Sequence, residues 1–140
     1  MSKFKVTTNA NEVGKRMINR GVAAEKLIKQ LIYKATSSVE KDVKLGINTG
    51  PASGKRRRDG SRASAPGEYP MADKGELAGK VSFDIRGNTG IVTSSAKYSK
   101  HLEYGTQKMK ARPFMFPSLE KNRARILKMF KEARLLRRTS

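Results

Sequence analysis

Residues 98–117 read YSKHLEYGTQKMKARPFMFP. They gather Tyr98, Tyr104, Phe114, Phe116, the only histidine (His101), an interior glycine (Gly105) and two prolines into one connecting segment. A solvated loop does not concentrate aromatics in this way, so the segment reads as an aromatic-anchored joint between two ordered elements. Gly105 serves a backbone position that a side chain would crowd. Pro113 holds Arg112 extended. Pro117 opens a helix at no hydrogen-bonding cost, because the first N–H groups of a helix have no internal partner. Taken alone, the same grammar describes a well-tethered strand-to-helix connection in any small α+β domain.

Downstream of the joint, Leu119, Ile126, Leu127, Phe130 and Ala133 fall on one helical stripe, while Arg123, Arg125, Lys128, Lys131, Arg134, Arg137 and Arg138 crowd the remaining surface. Like charges at helical spacing repel one another, so that face calls for screening or for an acidic partner. Thr139 and Ser140 are expected to fray. Upstream, Leu77 begins an ordered piece. Val81, Phe83 and Ile85 alternate with Ser82, Asp84 and Arg86. Ile91, Val92 and Thr93 supply a partner strand across Gly87-Asn88-Thr89-Gly90, which predicts a β-hairpin. Two strands alone are marginal in water, so their apolar face must pack on a helix, and a further strand from 4–7 or 108–112 would extend the sheet.

That helix lies near the N-terminus. Asn9 or Asn11 offers a cap with Glu12 in the first turn. Val13 and Met17 begin an apolar stripe that Gly21 interrupts and that Ala24, Leu27, Ile28, Leu31, Ile32, Ala35, Val39 and Val43 continue at three- and four-residue steps, the mark of an amphipathic helix. Lys26, Lys29, Lys34, Lys41 and Lys44 lie mostly off the stripe, and Gly46 is the expected stop. From about 48 to 75 the composition turns to Gly, Pro, Ser, Lys and Arg, with almost nothing apolar before Tyr69. A connection this long is uncommon inside a compact domain, and it reads as an extended basic arm, either disordered alone or laid on a neighbour. The fold class is therefore α+β: one domain over 1–140, in which a long N-terminal amphipathic helix and a C-terminal helix pack on a small antiparallel sheet.

Composition narrows the function. Thirty-one Lys and Arg against twelve Asp and Glu leave a net charge of +19, far above the ~2–8 that solubility asks of a small domain. The excess is spread over the whole chain and favours a polyanionic partner. No helix-turn-helix, zinc-finger or RNA-recognition signature is present, so sequence-specific reading is not expected. With no cysteine there is no disulfide or thiolate site. The start, MSKFKVTTNANE, lacks the apolar centre of a signal peptide, and no apolar run reaches the ~20 residues of a membrane span. The reading is a soluble intracellular protein. Chemistry is equally thin: His101 has only Glu103 nearby, without a nucleophile elbow or metal-ligand spacing. Neither P-loop nor dinucleotide fingerprint occurs. No enzyme activity, metal or cofactor is expected; His101 packs against Tyr98 or bonds locally, and Glu103 pairs with a nearby Lys or Arg.

The joint carries a resemblance. An aromatic followed by H-L-E-Y-G-T, a short basic spacer, A-R-P-F and P-S-L-E-K-N-R, here Tyr98, Leu102, Glu103, Tyr104, Gly105, Thr106, Ala111, Arg112, Pro113, Phe114, Pro117, Leu119 and Asn122, resembles the neck proteins of long-tailed bacteriophages, also called head–tail joining or tail-completion proteins. A-P-G-E-Y-P at 65–70 and K-G-E-L-A-G-K-V at 74–81 match as well, except that Lys74 stands where the family usually has threonine, which bears only on a local cap. The likeness covers roughly the C-terminal half.

The resemblance implies a structural virion protein at the head–tail junction, assembled in the host bacterial cytoplasm. It implies a homo-oligomeric ring, six subunits favoured and twelve credible nearer the portal, between head-connector and tail proteins and around the DNA passage. Tyr69, Tyr98, Leu102, Tyr104, Arg112, Phe114 and Phe116 form the expected docking group, since aromatics and arginine dominate interfaces, some of them doubling as intramolecular core. Lys55, Arg56, Arg57, Arg58, Arg62, Arg123, Arg125 and Lys128 form the expected DNA-facing group. The competing reading is a stand-alone basic nucleic-acid-binding protein, architectural or regulatory; a second is an effector enzyme acting on acidic substrates, which lacks a polar catalytic cluster.

Overall fold

The computed structural model describes residues 11–71 and 75–138. The strand expected at 4–7, the cap at Asn9, the Lys74 position, Thr139 and Ser140 lie outside that range. Helix α1 spans Asn11–Thr49, α2 Glu76–Gly79, strand β1 Val81–Arg86, β2 Thr89–Ser94, helix α3 Ser99–Tyr104 and α4 Met115–Arg138. The arrangement is α+β, two long helices with one two-stranded antiparallel sheet.

Helix α1 is continuous through both Gly21 and Gly46, so neither breaks it. At 1.5 Å per residue its 39 residues extend about 58 Å. The stripe read from the sequence buries its distal part: Leu31, Ile32, Ala35, Val39 and Val43 are buried, and Ile47, beyond the expected stop, extends it, whereas Val22 is exposed and Leu27 and Ile28 are half-buried. Gly46 has a different task from the expected stop. A Cβ there would overlap the Tyr69 ring, so the glycine admits an aromatic from the 48–75 segment onto the helix. The helix ends at Thr49, before Gly50 and Pro51, where the proline disfavours helical backbone in the residue preceding it.

Core residues Val39, Val43 and Ile47 meet Leu77, Ala78, Val81, Ala96 and Phe114, flanked by the half-buried Tyr69, Val92, Leu102, Met115 and Ile126. The hairpin pairs Val81 with Ser94 and Arg86 with Thr89. Its connection is thus only Gly87-Asn88, with Gly87 at φ 59°, the positive angle a tight hairpin wants at its first central position. Gly90 lies against Thr36 so closely that a Cβ would overlap the threonine hydroxyl, and Phe83 meets Tyr33 edge-on with ring centroids 5.4 Å apart. These contacts seat the marginal hairpin on α1.

No third strand joins the sheet among the described residues. At 108–112 the backbone is engaged elsewhere: Ala111 C=O accepts the Gly67 N–H at 3.0 Å and the Arg112 N–H donates to Leu102 C=O at 2.7 Å. Within the 48–75 connection, described residues also bond to their own chain. An antiparallel bridge joins Arg56 to Arg62, and Glu68 accepts from the Ser53 hydroxyl, the Ser53 N–H and the Ala65 N–H.

Candidate interaction surfaces

The joint is built around Glu103. Helix α4 opens at Met115, two residues ahead of Pro117, so the proline sits within the first turn. The Glu103 carboxylate accepts the N–H groups of Phe114 at 2.8 Å, Met115 at 3.0 Å and Phe116 at 2.9 Å. These donors have no partner inside α4, and an anion at a helix N-terminus also meets the favourable end of its dipole. The ion pair expected for Glu103 is therefore replaced by a helix cap supplied from α3. Gly105 carries φ 76° and a Cβ there would stand 2.9 Å from both Ala111 N and Met109 O, the crowding read from the sequence. His101 is exposed, and its carbonyl accepts the Gly105 amide.

The docking group divides. Phe114 is wholly buried at the core's centre, and Leu102 packs against that core. Tyr69 lays its ring on Gly46 and its hydroxyl lies 2.9 Å from Ser118 Oγ. Arg112 Nε donates to Ser64 C=O at 3.1 Å. These four serve the fold. Tyr98, Tyr104 and Phe116 are instead 41%, 78% and 62% exposed. Leu119 and Leu127, placed by periodicity on the buried stripe of α4, are also exposed, while Ile126 and Phe130 are half-buried. Of these, Tyr104, Phe116, Leu119, Ile126 and Phe130 edge an open apolar groove of about 750 Å³ between α1, β2, α3 and α4, lined also by Ile32, Val39, Val92 and Phe114; Tyr98 and Leu127 are not among its lining residues.

Sequence reasoning missed what fixes α4 to α1. Asn122 and Ser118 are fully buried. Asn122 Nδ2 donates to Asp42 Oδ2 at 2.7 Å and to Ser118 C=O at 2.9 Å, while Asn122 Oδ1 has no hydrogen-bond partner among the described residues. The only sequence signal for this tie was Asn122 itself, a polar residue at a helical position.

The basic group occupies two elements. On α4, Arg123 pairs with Glu120 at 3.4 Å and Lys128 with Glu132 at 3.9 Å, both in the open, and Arg125 is exposed. In the bridged loop, Lys55, Arg56, Arg58 and Arg62 are exposed and Arg57 is half-buried. The loop's carboxylates are turned to its own backbone. The Ser61 hydroxyl and N–H bind Asp59 and hold its pKa below the ordinary value. The Ser53 hydroxyl and the Ala65 N–H do the same for Glu68. Among the described residues no three His, Cys, Asp or Glu side chains come together in a way that could hold a metal ion, and no helix is long and apolar enough to cross a membrane.

These features define a small α+β protein with an uncovered apolar groove and two cationic surfaces among the described residues. Comparison with protein-family models, with curated proteins and with solved structures gives no match for this chain.

Proposed function

We propose that this chain is a structural, non-enzymatic component of a long-tailed bacteriophage or prophage virion. It forms a ring, six subunits favoured, at the head–tail junction, between the head connector and the tail and around the DNA passage. The observation that carries the reading is the coincidence of two features at 98–117. The residues that resemble phage neck proteins include the exposed Tyr104, beside Phe116 on the groove lip. A monomer gains nothing by holding Tyr104, Phe116 and Leu119 in water, whereas a neighbouring copy set head to tail against the groove would cover them, and repetition of such a contact closes a ring when its rotation permits. The net charge of +19 suits a wall beside a moving polyanion, since non-specific phosphate contact lets DNA slide.

The test is cryo-electron microscopy of particles from the source phage or induced prophage. Density for this chain as a symmetric ring between portal and tail tube is the expected result and fixes the subunit number; absence of the chain from purified virions refutes the proposal. The second reading, a stand-alone nucleic-acid-binding protein, draws on the concentration of arginine in the 55–62 loop. It would be favoured by tight, salt-sensitive binding of the isolated monomer to duplex DNA together with absence from virions.

A further inference from the structure

The loop between Gly54 and Ala63 is a prefolded cationic finger. The Gly54 N–H donates to Ala63 C=O at 2.8 Å, the Ala63 N–H to Lys55 C=O at 3.0 Å and the Arg57 N–H to Ser61 C=O at 2.7 Å. Gly54 is required by this closure, since a Cβ there would stand 2.6 Å from Ser64 C=O. The base of the finger is fastened to the joint by Arg112 Nε on Ser64 C=O and by Gly67 N–H on Ala111 C=O. Within this ribbon Arg56 and Arg62 are bridge partners, so their side chains leave the same face. Like charges directly opposite one another destabilise an antiparallel pair. Both are exposed, as are Lys55 and Arg58, and the one carboxylate of the finger, Asp59, is occupied by Ser61. Arg56 Nε reaches only the Gly60 carbonyl, at 3.3 Å, and among the described residues no carboxylate pairs with Arg56 or Arg62, so the finger holds two cations in register, an arrangement that an external polyanion relieves.

We propose that this finger, rather than the basic face of α4, is the site at which the protein grips nucleic acid, and that its ligand is the phosphate backbone of duplex DNA without regard to sequence. The composition of the finger selects that ligand. Residues 55–63, KRRRDGSRA, contain no aromatic side chain on which an unpaired base could stack, as single-strand binders require. They contain no large apolar side chain to enter a lipid surface. Because the finger is already folded, contact costs little ordering entropy. On α4, by contrast, Arg123 and Lys128 already have carboxylate partners on the same helix. The choice of duplex DNA as the polyanion rests in part on the neck reading; the site itself rests on the geometry of the loop.

The experiment measures binding of the full chain to a random-sequence duplex of about 20 base pairs by fluorescence anisotropy across a salt series. Each phosphate contact contributes a slope of about 0.9 to the dependence of log affinity on log salt. The triple variant Arg56→Ser, Arg58→Ser, Arg62→Ser should therefore lower the slope by about 2 to 3 and weaken binding on the order of 100-fold at 0.1 M salt. The matching variant Arg56→Lys, Arg58→Lys, Arg62→Lys, which keeps the charge, should hold the slope within about 1, and so should Arg123→Ser, Arg125→Ser, Lys128→Ser on α4. Three results overturn the inference: an unchanged slope in the serine finger variant, an equal loss in the α4 variant, or tighter binding of single-stranded DNA, RNA or anionic vesicles than of the duplex. Virion incorporation is read separately. A chain missing from particles whose finger still grips duplex DNA ends the neck reading alone, whereas a chain present in particles whose finger variant keeps the full slope ends this inference alone.

Discussion

Replacing Glu103 by alanine should be among the most damaging single changes outside the core, although the residue is only half-buried. The variant removes the acceptor of three N–H groups at the start of α4. Losing a side-chain helix cap costs about 0.5–2 kcal/mol, and hydrogen bonds to a charged group contribute about 1.5–3 kcal/mol each when the donor is left unsatisfied. The three donors are not equivalent. Phe116 is exposed and its amide would be rehydrated, whereas Phe114 is buried at the core's centre and its amide would not be. Counting one cap and one stranded donor gives a loss of about 2–5 kcal/mol, a large part of the ~5–15 kcal/mol that holds a typical domain together. Glutamine keeps an acceptor oxygen and loses the charge, so Glu103→Gln should cost about half as much. Urea unfolding followed by far-UV circular dichroism, at one protein concentration and with the urea dependence checked for constancy, reads these differences. His101→Ala, two residues away and exposed, should lie within about 0.5 kcal/mol of the parent. If Glu103→Ala also lies within that range, or if Glu103→Gln is as harmful as Glu103→Ala, the carboxylate is not the cap that these distances describe.

Gly105→Ala should cost about 1–3 kcal/mol in the same assay, because φ 76° strains an L residue and the added methyl meets Ala111 N and Met109 O at 2.9 Å. Asn122→Asp would set a second carboxylate beside Asp42 inside the α1–α4 contact, where Nδ2 now lies 2.7 Å from Asp42 Oδ2. A loss of about 3–5 kcal/mol is expected, and thermal melting would show it as a markedly lower midpoint. Asp59 and Glu68 are held below their ordinary values of 3.8 and 4.5 by bonds that only the folded loop offers. Depressed folded-state pKa values mean that their contribution is present above the ordinary values and lost as pH falls through the lower folded ones. NMR titration of the Ser61 and Ala65 amides should therefore show midpoints below 3.8 and 4.5 respectively, with the finger loosening only under strongly acid conditions. Midpoints at or above the ordinary values would contradict the bonds to Ser61 and Ser53.

Periodicity carried the gross architecture because burial in α1 and the hairpin obeys it locally: the Val39, Val43 and Ile47 spacing and the Val81, Phe83 and Ile85 alternation point to one face each. It failed where the chain's punctuation is set by a partner far along the sequence. Gly46 resembles a helix stop, yet its lack of a side chain serves Tyr69, 23 positions on. Helix α4 starts before Pro117 because Glu103, twelve positions ahead of Met115, satisfies the donors that would otherwise delay it. Leu119 and Leu127 keep helical spacing but are exposed, Leu119 on the open groove, since among the described residues neither is covered. The 48–75 segment is apolar-poor and reads as an extended arm, either disordered alone or laid on a neighbour. Its described residues are tied by Glu68, Arg112 and backbone bridging, which leave no hydrophobic period to read.

That division separates what the joint does for the fold from what it leaves over. Of the unusual residues between 98 and 117, Glu103 caps α4 and Gly105 makes the close turn; Arg112 holds the loop base and Phe114 fills the core. Each has an intramolecular reason to be there, and none requires a partner to explain it. Tyr104 and Phe116 have no such reason, for they stand 78% and 62% exposed on an apolar groove, while Tyr98, 41% exposed, lies apart from it. Large aromatics in water cost solubility, whereas at the centre of a contact they rank among the residues that contribute most to affinity. Substituting the four fold residues should therefore lower the stability of the chain in isolation. Tyr104→Ser together with Phe116→Ser should leave the melt of the isolated chain within about 0.5 kcal/mol of the parent while, under the ring assembly proposed above, abolishing incorporation into particles. A double variant that still incorporates at the parent's level would remove this surface from the ring contact and leave the groove without an assembly role.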